Sequence, residues 1–429
     1  MKWICVLHFY QPPYQKPKIL NQIVSECYLP LTQMLVNQKT GFSMYCNVNY
    51  SLVEQLIKNK HFKVLENIAK LVGIKQIKLT LTPSYHPILP LIPKHVAIEQ
   101  ITANQQMVKK QFNYSNYDLF FPPELAYNPD SNISKITTLI SQSAMQSQIY
   151  NPFVSYKNKK FVIRHTNLSN MIMGGEIKDF KTLNLKHFIG NNNYFITAVD
   201  AETFGHHRKG YISVLEKLLK QTETSFIPTK NNYYKKVDNL YASSWSSLKG
   251  KPPFILWKDK SNSLHKLLWK LSKVIAIHSK TAKEKQHFHK ALSSCTFWWA
   301  SANPWWSIEM IEKGAWQMYL SVSKNKLVNK RVYKLYSEIV LLAFKWQRQG
   351  KIDKNFDNSF IKTVPFSLRC KKGELQQVLK KLEKAENIAV KTKNYELAIK
   401  WRDAQTKLKN NTDIFDDWHV VDQLRGWEL

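Results

Sequence analysis

Over its first half the chain alternates short apolar runs with longer amphipathic stretches, the pattern of a parallel sheet wrapped by helices. The pattern predicts strands at Trp3–Leu7, Phe42–Val48, Ile77–Thr82, Leu119–Phe121, Ser147–Tyr150, Lys160–Arg164 and Tyr194–Val199. Between them Leu52, Gln55 and Leu56 recur at helix spacing, and a second helical run covers residues 95–113. Most strand ends pass at once into polar or proline-rich residues: His8 to Pro12, Ser84 to Pro87, Pro123 to Ala126, and Asp200 to Glu202. Strand ends that converge on one polar rim argue for a barrel, which carries its chemistry at that edge. From about residue 265 the pattern turns helical, through Leu264–Leu271 and Tyr333–Phe344, as in a bundle packed on the barrel.

With 429 residues, the chain has room for a main domain of roughly 250 to 300 residues plus appendages. Its formal charge of +32 raises a nucleic-acid or membrane-surface reading. The cations are nearly all Lys and are scattered, and their excess falls on residues 1–370 rather than on a tail, which describes a solvated surface. Five cysteines, at 5, 27, 46, 295 and 370, lack metal-ligand spacing and point to a reducing compartment. No signal-like leader precedes the first strand and no apolar run approaches the roughly 18 residues of a span, so a cytoplasmic, membrane-free protein is expected.

The densest chemistry lies in Ala198-Val-Asp-Ala-Glu-Thr-Phe-Gly-His-His207, which follows a strand with two carboxylates, a glycine and two imidazoles. A third carboxylate, Glu124, follows Pro122 and Pro123, which stiffen its approach. Two carboxylates from different strand ends suit a glycosidase, and a retaining pair needs them about 5 to 5.5 Å apart. Their environments must differ, so that one stays ionised while the other keeps a proton. Taken singly, Glu124 fits a helix-start glutamate better than a nucleophile. His8, His86, His206 and His207 fit either hydrogen bonding to sugar hydroxyls or a metal site. The barrel part has neither an Asp-Asp pair nor a His-x3-His spacing, so no metal and no cofactor is expected. Trp245, Trp298, Trp299, Trp305 and Trp306 are candidates for sugar platforms or for a domain-interface cluster.

Five segments taken in order, His8–Pro12, Leu81–Leu91, Phe121–Ala126, Asp200–His207 and Phe297–Ala302, resemble the five sequence regions of glycoside hydrolase family 57, over roughly residues 1–320. The resemblance implies a (β/α)7 barrel with a helical domain, and retaining chemistry on α-glucosidic bonds of the α-amylase or 4-α-glucanotransferase type. By position it makes Glu124 the nucleophile and Asp200 the general acid/base. His8, Tyr10, Gln11, His86, Glu202, His206, Trp245, Trp298 and Trp299 are then expected at the substrate. Two departures stand out: Tyr10 occupies the place of the second histidine of His-x-His-Gln-Pro, and Lys78 occupies a place where the second region usually has an acidic residue. Both are expected to touch substrate contacts.

Residues 380–410 resemble the UVR motif, a helical hairpin that pairs with a partner hairpin. Ile388, Ala389, Tyr395, Ala398, Ile399 and Trp401 are expected on its closing face, with Arg402 and Asp403 as a charged pair. The expected fold class is α/β, arranged as a catalytic barrel at 1–265, a helical domain completing the cleft at 266–370, the hairpin at 371–412 and an acidic tail at 413–429. The expected partners are an α-glucan and, through the hairpin, a protein. Three alternatives remain: an inactive carbohydrate- or partner-binding barrel, a metal-dependent sugar deacetylase or mannosidase-like enzyme, and a nucleic-acid-associated protein without a base-reading motif.

Overall fold

The computed structural model describes residues 1–131, 133–146, 150–248, 250–302, 305–351 and 373–411. Residues 147–149 of one expected strand, Cys370 and the acidic tail lie outside them.

The strands are β1 (Lys2–Phe9), β2 (Met44–Val48), β3 (Ile77–Leu79), β4 (Leu119–Phe120), β5 (Thr137–Ser141), β6 (Phe153–Tyr156), β7 (Lys159–Arg164), β8 (Tyr194–Asp200), β9 (Glu223–Thr224) and β10 (Lys235–Lys236). Parallel pairing joins β8, β1, β2 and β3 on one side, and β4, β5 and β7 on the other. Two seams close the ring. At the first, Leu81 N donates to Leu119 O at 2.9 Å and Phe121 N to Leu81 O at 2.8 Å; at the second, His165 N donates to Ile196 O at 2.8 Å. Seven parallel strands therefore follow one another around a (β/α)7 barrel, in the order β1-β2-β3-β4-β5-β7-β8. β6 forms an antiparallel hairpin with β7, β10 extends that hairpin, and β9 pairs with the start of β1.

Because side chains alternate along a strand, each barrel strand has an inward and an outward set. Ile4, Val6, Tyr45, Leu119, Phe121, Leu139, Val162, Ile196 and Ala198 pack together as the barrel interior. Trp3, Cys5, Leu7 and Phe9 pack instead with the surrounding helices. Both faces are buried, which is why the sequence shows apolar runs rather than strict alternation.

The barrel helices are α1 (Pro17–Ile23), α2 (Leu29–Asn37), α3 (Tyr50–Lys58), α4 (Phe62–Gly73), α5 (Lys94–Phe112), α6 (Thr166–Gly174), α7 (Leu185–Ile189) and α8 (Tyr211–Gln221). One π-helical turn, Val24–Tyr28, joins α1 to α2. A helical unit follows: α9 (Ser263–His278), α10 (Ala282–Ala291), α11 (Ser294–Trp298), α12 (Ile308–Leu320) and α13 (Asn329–Arg348). Its core takes in Ile88 and Ala126, residues that lie just beyond β3 and β4, so it docks on the C-terminal rim of the barrel.

Two further helices, α14 (Glu374–Lys391) and α15 (Tyr395–Lys409), close on a core of their own: Leu382, Ala385, Ala389, Ala398, Trp401, Ala404 and Leu408. The expected closing face is corrected at three positions. Ile388, Tyr395 and Ile399 are 43%, 62% and 53% exposed: Ile388 and Ile399 lie one residue off the buried stripe 382-385-389 and 398-401-404-408, and Tyr395 is the first residue of α15. Arg402 is paired with Glu386 of α14, whose Oε1 accepts from Nε at 2.9 Å.

Candidate active site

The register of the barrel decides which side chains reach its mouth. His8 lies opposite both Asn47 and Asp200, and Ser141 lies opposite Arg164. These residues continue the inward series of their strands, so the apolar interior ends in a polar ring at the C-terminal rim. Within the ring, Asn47 Nδ2 donates to Thr80 Oγ1 at 2.8 Å, leaving Asn47 Oδ1 to accept from His8 Nδ1 at 2.6 Å. Burial lowers the His8 pKa to about 4, so its imidazole is neutral near pH 7. The ring stacks on Phe121 and His86 at 5.0 and 4.9 Å.

Glu124 follows β4 on a backbone at φ 57°, ψ 15°, and Leu125 has φ 48°. Two successive non-glycine residues in the left-handed region cost on the order of 1–2 kcal/mol each and persist only when their surroundings fix them. Trp245 is the main restraint. Its backbone N donates to Glu124 O at 2.9 Å, and its indole Nε1 donates to Oε2 at 2.7 Å. Ser294 Oγ of α11 lies 3.3 Å from Oε1, and His86 Nδ1 is 3.0 Å from Ser294 Oγ. With Ser294 donating to the carboxylate, His86 donates through Nδ1; among the described residues its buried Nε2 has no partner. Burial keeps His86 neutral, so that nitrogen is an acceptor. Burial also raises the Glu124 pKa to about 7, and the charge of Asp200 adds to the rise, while the Trp245 and Ser294 hydrogen bonds oppose it.

Asp200 ends β8. Burial raises its carboxyl and Arg164 holds it back. Arg164, 1% exposed at the end of β7, is fixed by Nε donating to Ala198 O at 2.8 Å, and its guanidinium lies 5.6 Å from the Trp245 ring centre. Glu202 lies in the next turn, where Tyr28 and Gln11 both donate to its Oε1, Gln11 at 2.6 Å. Burial and Asp200 push it upward as well. Glu124 and Glu202 both feel the charge of Asp200, so the three buried carboxyls oppose one another's ionisation, and Arg164 offsets this at Asp200 alone.

The loop after β8 is seated on the π-helical turn. Cys27 Sγ donates to Ala201 O at 3.0 Å, Tyr28 binds Glu202, and His206 Nδ1 lies 2.5 Å from Glu26 Oε2. Gly205, at φ 121°, passes so close that a Cβ would sit 2.1 Å from Glu26 O. π-turns are frequent at functional sites because they shift the helix register locally.

The structure thus brings His8, Tyr10, His86, Glu124, Asp200, Glu202, Gln11 and Trp245 into one connected set. His206 is placed apart from them, tied to Glu26. Trp298 and Trp299 pack on each other and on Trp305, at 5.8 and 5.0 Å from Trp298, against the helical core. Lys78 differs from expectation. It lies opposite Tyr45, two residues below the polar ring, where Nζ pairs with Asp118 at 2.5 Å and covers the Phe226 ring. It belongs to the barrel floor and not to the rim. Arg164, Tyr28 and Ser294 went unread in the sequence; only Arg164, a cation two residues after the inward Val162, carried a signal. Among the described residues no three His, Cys, Asp or Glu side chains are grouped as a metal site, and no helix is long and apolar enough to cross a membrane.

The sequence profile of glycosyl hydrolase family 57 matches residues 8–245, more than half the chain, and that of the UvrB/UvrC motif matches 376–411. No curated protein matches. Among solved structures, the 4-alpha-glucanotransferase of Thermococcus litoralis superposes with TM-score 0.60 at 14% identity, over 76% of this chain and 60% of its own length. This chain therefore spans less than two thirds of that protein. A family 57 branching enzyme of Thermococcus kodakaraensis gives 0.57 at 12% identity, over 84% and 96% of the two chains. An alpha-amylase of Thermotoga maritima gives 0.52 at 12% identity, over 83% and 98%. These likenesses show the barrel fold, and the profile match spans the rim residues from His8 to Trp245 and more than half of the chain: the chain belongs to glycosyl hydrolase family 57.

Proposed function

We propose that the protein is a retaining glycoside hydrolase or transglycosylase acting on α-1,4-glucans, with Glu124 as nucleophile and Asp200 as general acid/base. The observation that carries this reading is two buried carboxyls from the ends of β4 and β8, Glu124 raised to about 7 and Asp200 to about 6, which hold a proton between them near neutral pH; the division of roles follows their positions in the family's sequence regions. Glu124 receives two hydrogen bonds, which stabilise its anion and aim it. Asp200 faces the Arg164 guanidinium, which keeps its conjugate base accessible.

In the first half-reaction Glu124 attacks the anomeric carbon while Asp200 gives its proton to the glycosidic oxygen, and a glycosyl-enzyme ester forms as the leaving sugar departs. In the second half Asp200 takes a proton from water or from a sugar hydroxyl, whose oxygen displaces Glu124. His8 and His86, both neutral, accept or donate hydrogen bonds without a change of charge, and His86 Nε2 offers an acceptor to a sugar hydroxyl. Glu202, bound through Oε1 by Tyr28 and Gln11, supports the turn beside Asp200. The related solved enzymes named above act as a glucanotransferase, a branching enzyme and an amylase, which supports an α-glucan as the substrate class.

The test is to incubate the protein with maltoheptaose and amylose and separate the products by chain length. Redistribution or shortening of chains, abolished by Glu124→Gln and by Asp200→Asn, is expected. Unchanged glucans with measurable binding would instead establish an inactive binding barrel.

A further inference from the structure

Tyr10 stands where the family's first region commonly has a second histidine, and its hydroxyl is turned to the helical unit. It lies 2.7 Å from Ser293 Oγ and 3.5 Å from Cys295 Sγ, while the ring stacks on His86 at 4.1 Å. Ser293 precedes Ser294, whose hydroxyl lies on the Glu124 carboxyl. The neighbouring Tyr14 holds the same segment from the other flank: its hydroxyl donates to Lys290 O at 2.6 Å and lies 3.2 Å from Thr296 Oγ1. Pro87 and Ser293 form a β-bridge, and Ser294 N donates to His86 O at 2.9 Å. Residues 293–296 are therefore tied to the barrel on both sides of Ser294, by two phenols from the loop after β1.

We propose that Tyr10 is a positioning residue: by holding Ser293 it fixes the segment that presents Ser294 to Glu124, so that docking of the helical unit and alignment of the nucleophile become one event. A phenol suits this task because its polar atom lies farther from the backbone than that of an imidazole, and because it stays neutral when buried. The hydroxyl spans 283 residues of sequence to reach its partner. This inference rests on the reading of Glu124 as nucleophile.

Tyr10→Phe removes only the hydroxyl, and Ser294→Ala removes the donor it is argued to place. The first readout needs no turnover: the Glu124 carboxyl is titrated in the ligand-free protein by infrared difference spectroscopy, with Glu124→Gln identifying its band. Ser294→Ala is expected to raise the pKa above the value of about 7, since the Ser294 hydrogen bond lowers it. Tyr10→Phe is expected to raise it in the same direction, and the double variant to add nothing beyond Ser294→Ala. The second readout is kinetic: on maltooligosaccharides each single variant should lower kcat at least tenfold with KM changed less than twofold. Tyr10→His, the family's residue, should behave like Tyr10→Phe. An unshifted Glu124 titration in Tyr10→Phe, or shifts that add fully in the double variant, overturns the proposal. Wild-type protein that shows the titration pattern but leaves every α-glucan unchanged overturns the proposed activity and leaves the positioning intact.

Discussion

Trp245 holds Glu124 at two points, through Nε1 to Oε2 at 2.7 Å and through its backbone N to the Glu124 carbonyl at 2.9 Å. One residue thereby restrains both the carboxyl and the left-handed backbone that presents it. The same indole lies against Arg164, which faces Asp200, so the two proposed catalytic carboxyls share a neighbour.

Trp245→Phe keeps the ring near Arg164 and removes the donor. The Glu124 pKa should rise above about 7, because that hydrogen bond opposes the effect of burial. Loss of one oriented donor to a reacting group costs on the order of 10²-fold in kcat, measurable on any glucan the wild type converts.

Arg164→Met removes the cation that holds Asp200 down. The alkaline limb of the kcat/KM profile should then move to higher pH while the maximum falls at least tenfold. A limb that stays in place would disconnect Arg164 from Asp200.

The buried carboxyls set a pH dependence of stability. Glu124 has a folded pKa near 7, above its unfolded value, so the folded state binds more protons; stability is greatest below about pH 4.5 for this group and is lost as pH rises through 7. His8 acts in the opposite direction, since its folded value near 4 costs stability as pH falls from about 6.5 towards 4. Glu124→Gln should therefore raise Tm at pH 8 by about 2–4 °C and change it little at pH 5, as followed by calorimetry.

Gly205→Ala should be severely destabilising. Its Cβ would meet the Glu26 carbonyl at 2.1 Å on a backbone at φ 121°, so the loop carrying Glu202 and His206 must leave the π-turn. A loss of at least about 3 kcal/mol in urea unfolding, or an insoluble product, is expected. His206→Gln, which keeps a short polar contact to Glu26, should cost less than about 1 kcal/mol.

Trp401→Ala should melt the hairpin alone. The indole is 1% exposed in a core that, among the described residues, is drawn from α14 and α15, and its removal costs about 3–5 kcal/mol. Hydrogen exchange should lose protection across 374–409 while the barrel strands keep theirs.

Much of the barrel was legible because strand periodicity and rim chemistry are local. Apolar runs located β1, β2, β3, β4, β7 and β8, and the polar residues after them marked the mouth. β5 was missed because Thr-Thr-Leu-Ile-Ser is half polar by composition, and its burial comes from neighbours on either side. Arg164 was missed because a cation at a strand end reads as solvated until closure of the ring turns it inward. The hairpin was read one residue out of phase at Ile388 and Ile399, since small alanines, and not the larger branched residues, let its two helices approach.

The sequence by itself determined the alternation that sends His8, Asn47, Arg164 and Asp200 to one rim, because side-chain direction follows from strand parity alone. Only the tertiary structure decided who holds whom there. Trp245 reaches Glu124 across 121 residues and Tyr10 reaches Ser293 across 283, while His206, a neighbour of the acidic pair in sequence, turns away to Glu26. The physical reason is that a hydrogen bond depends on distance and direction in space, and chain separation fixes neither.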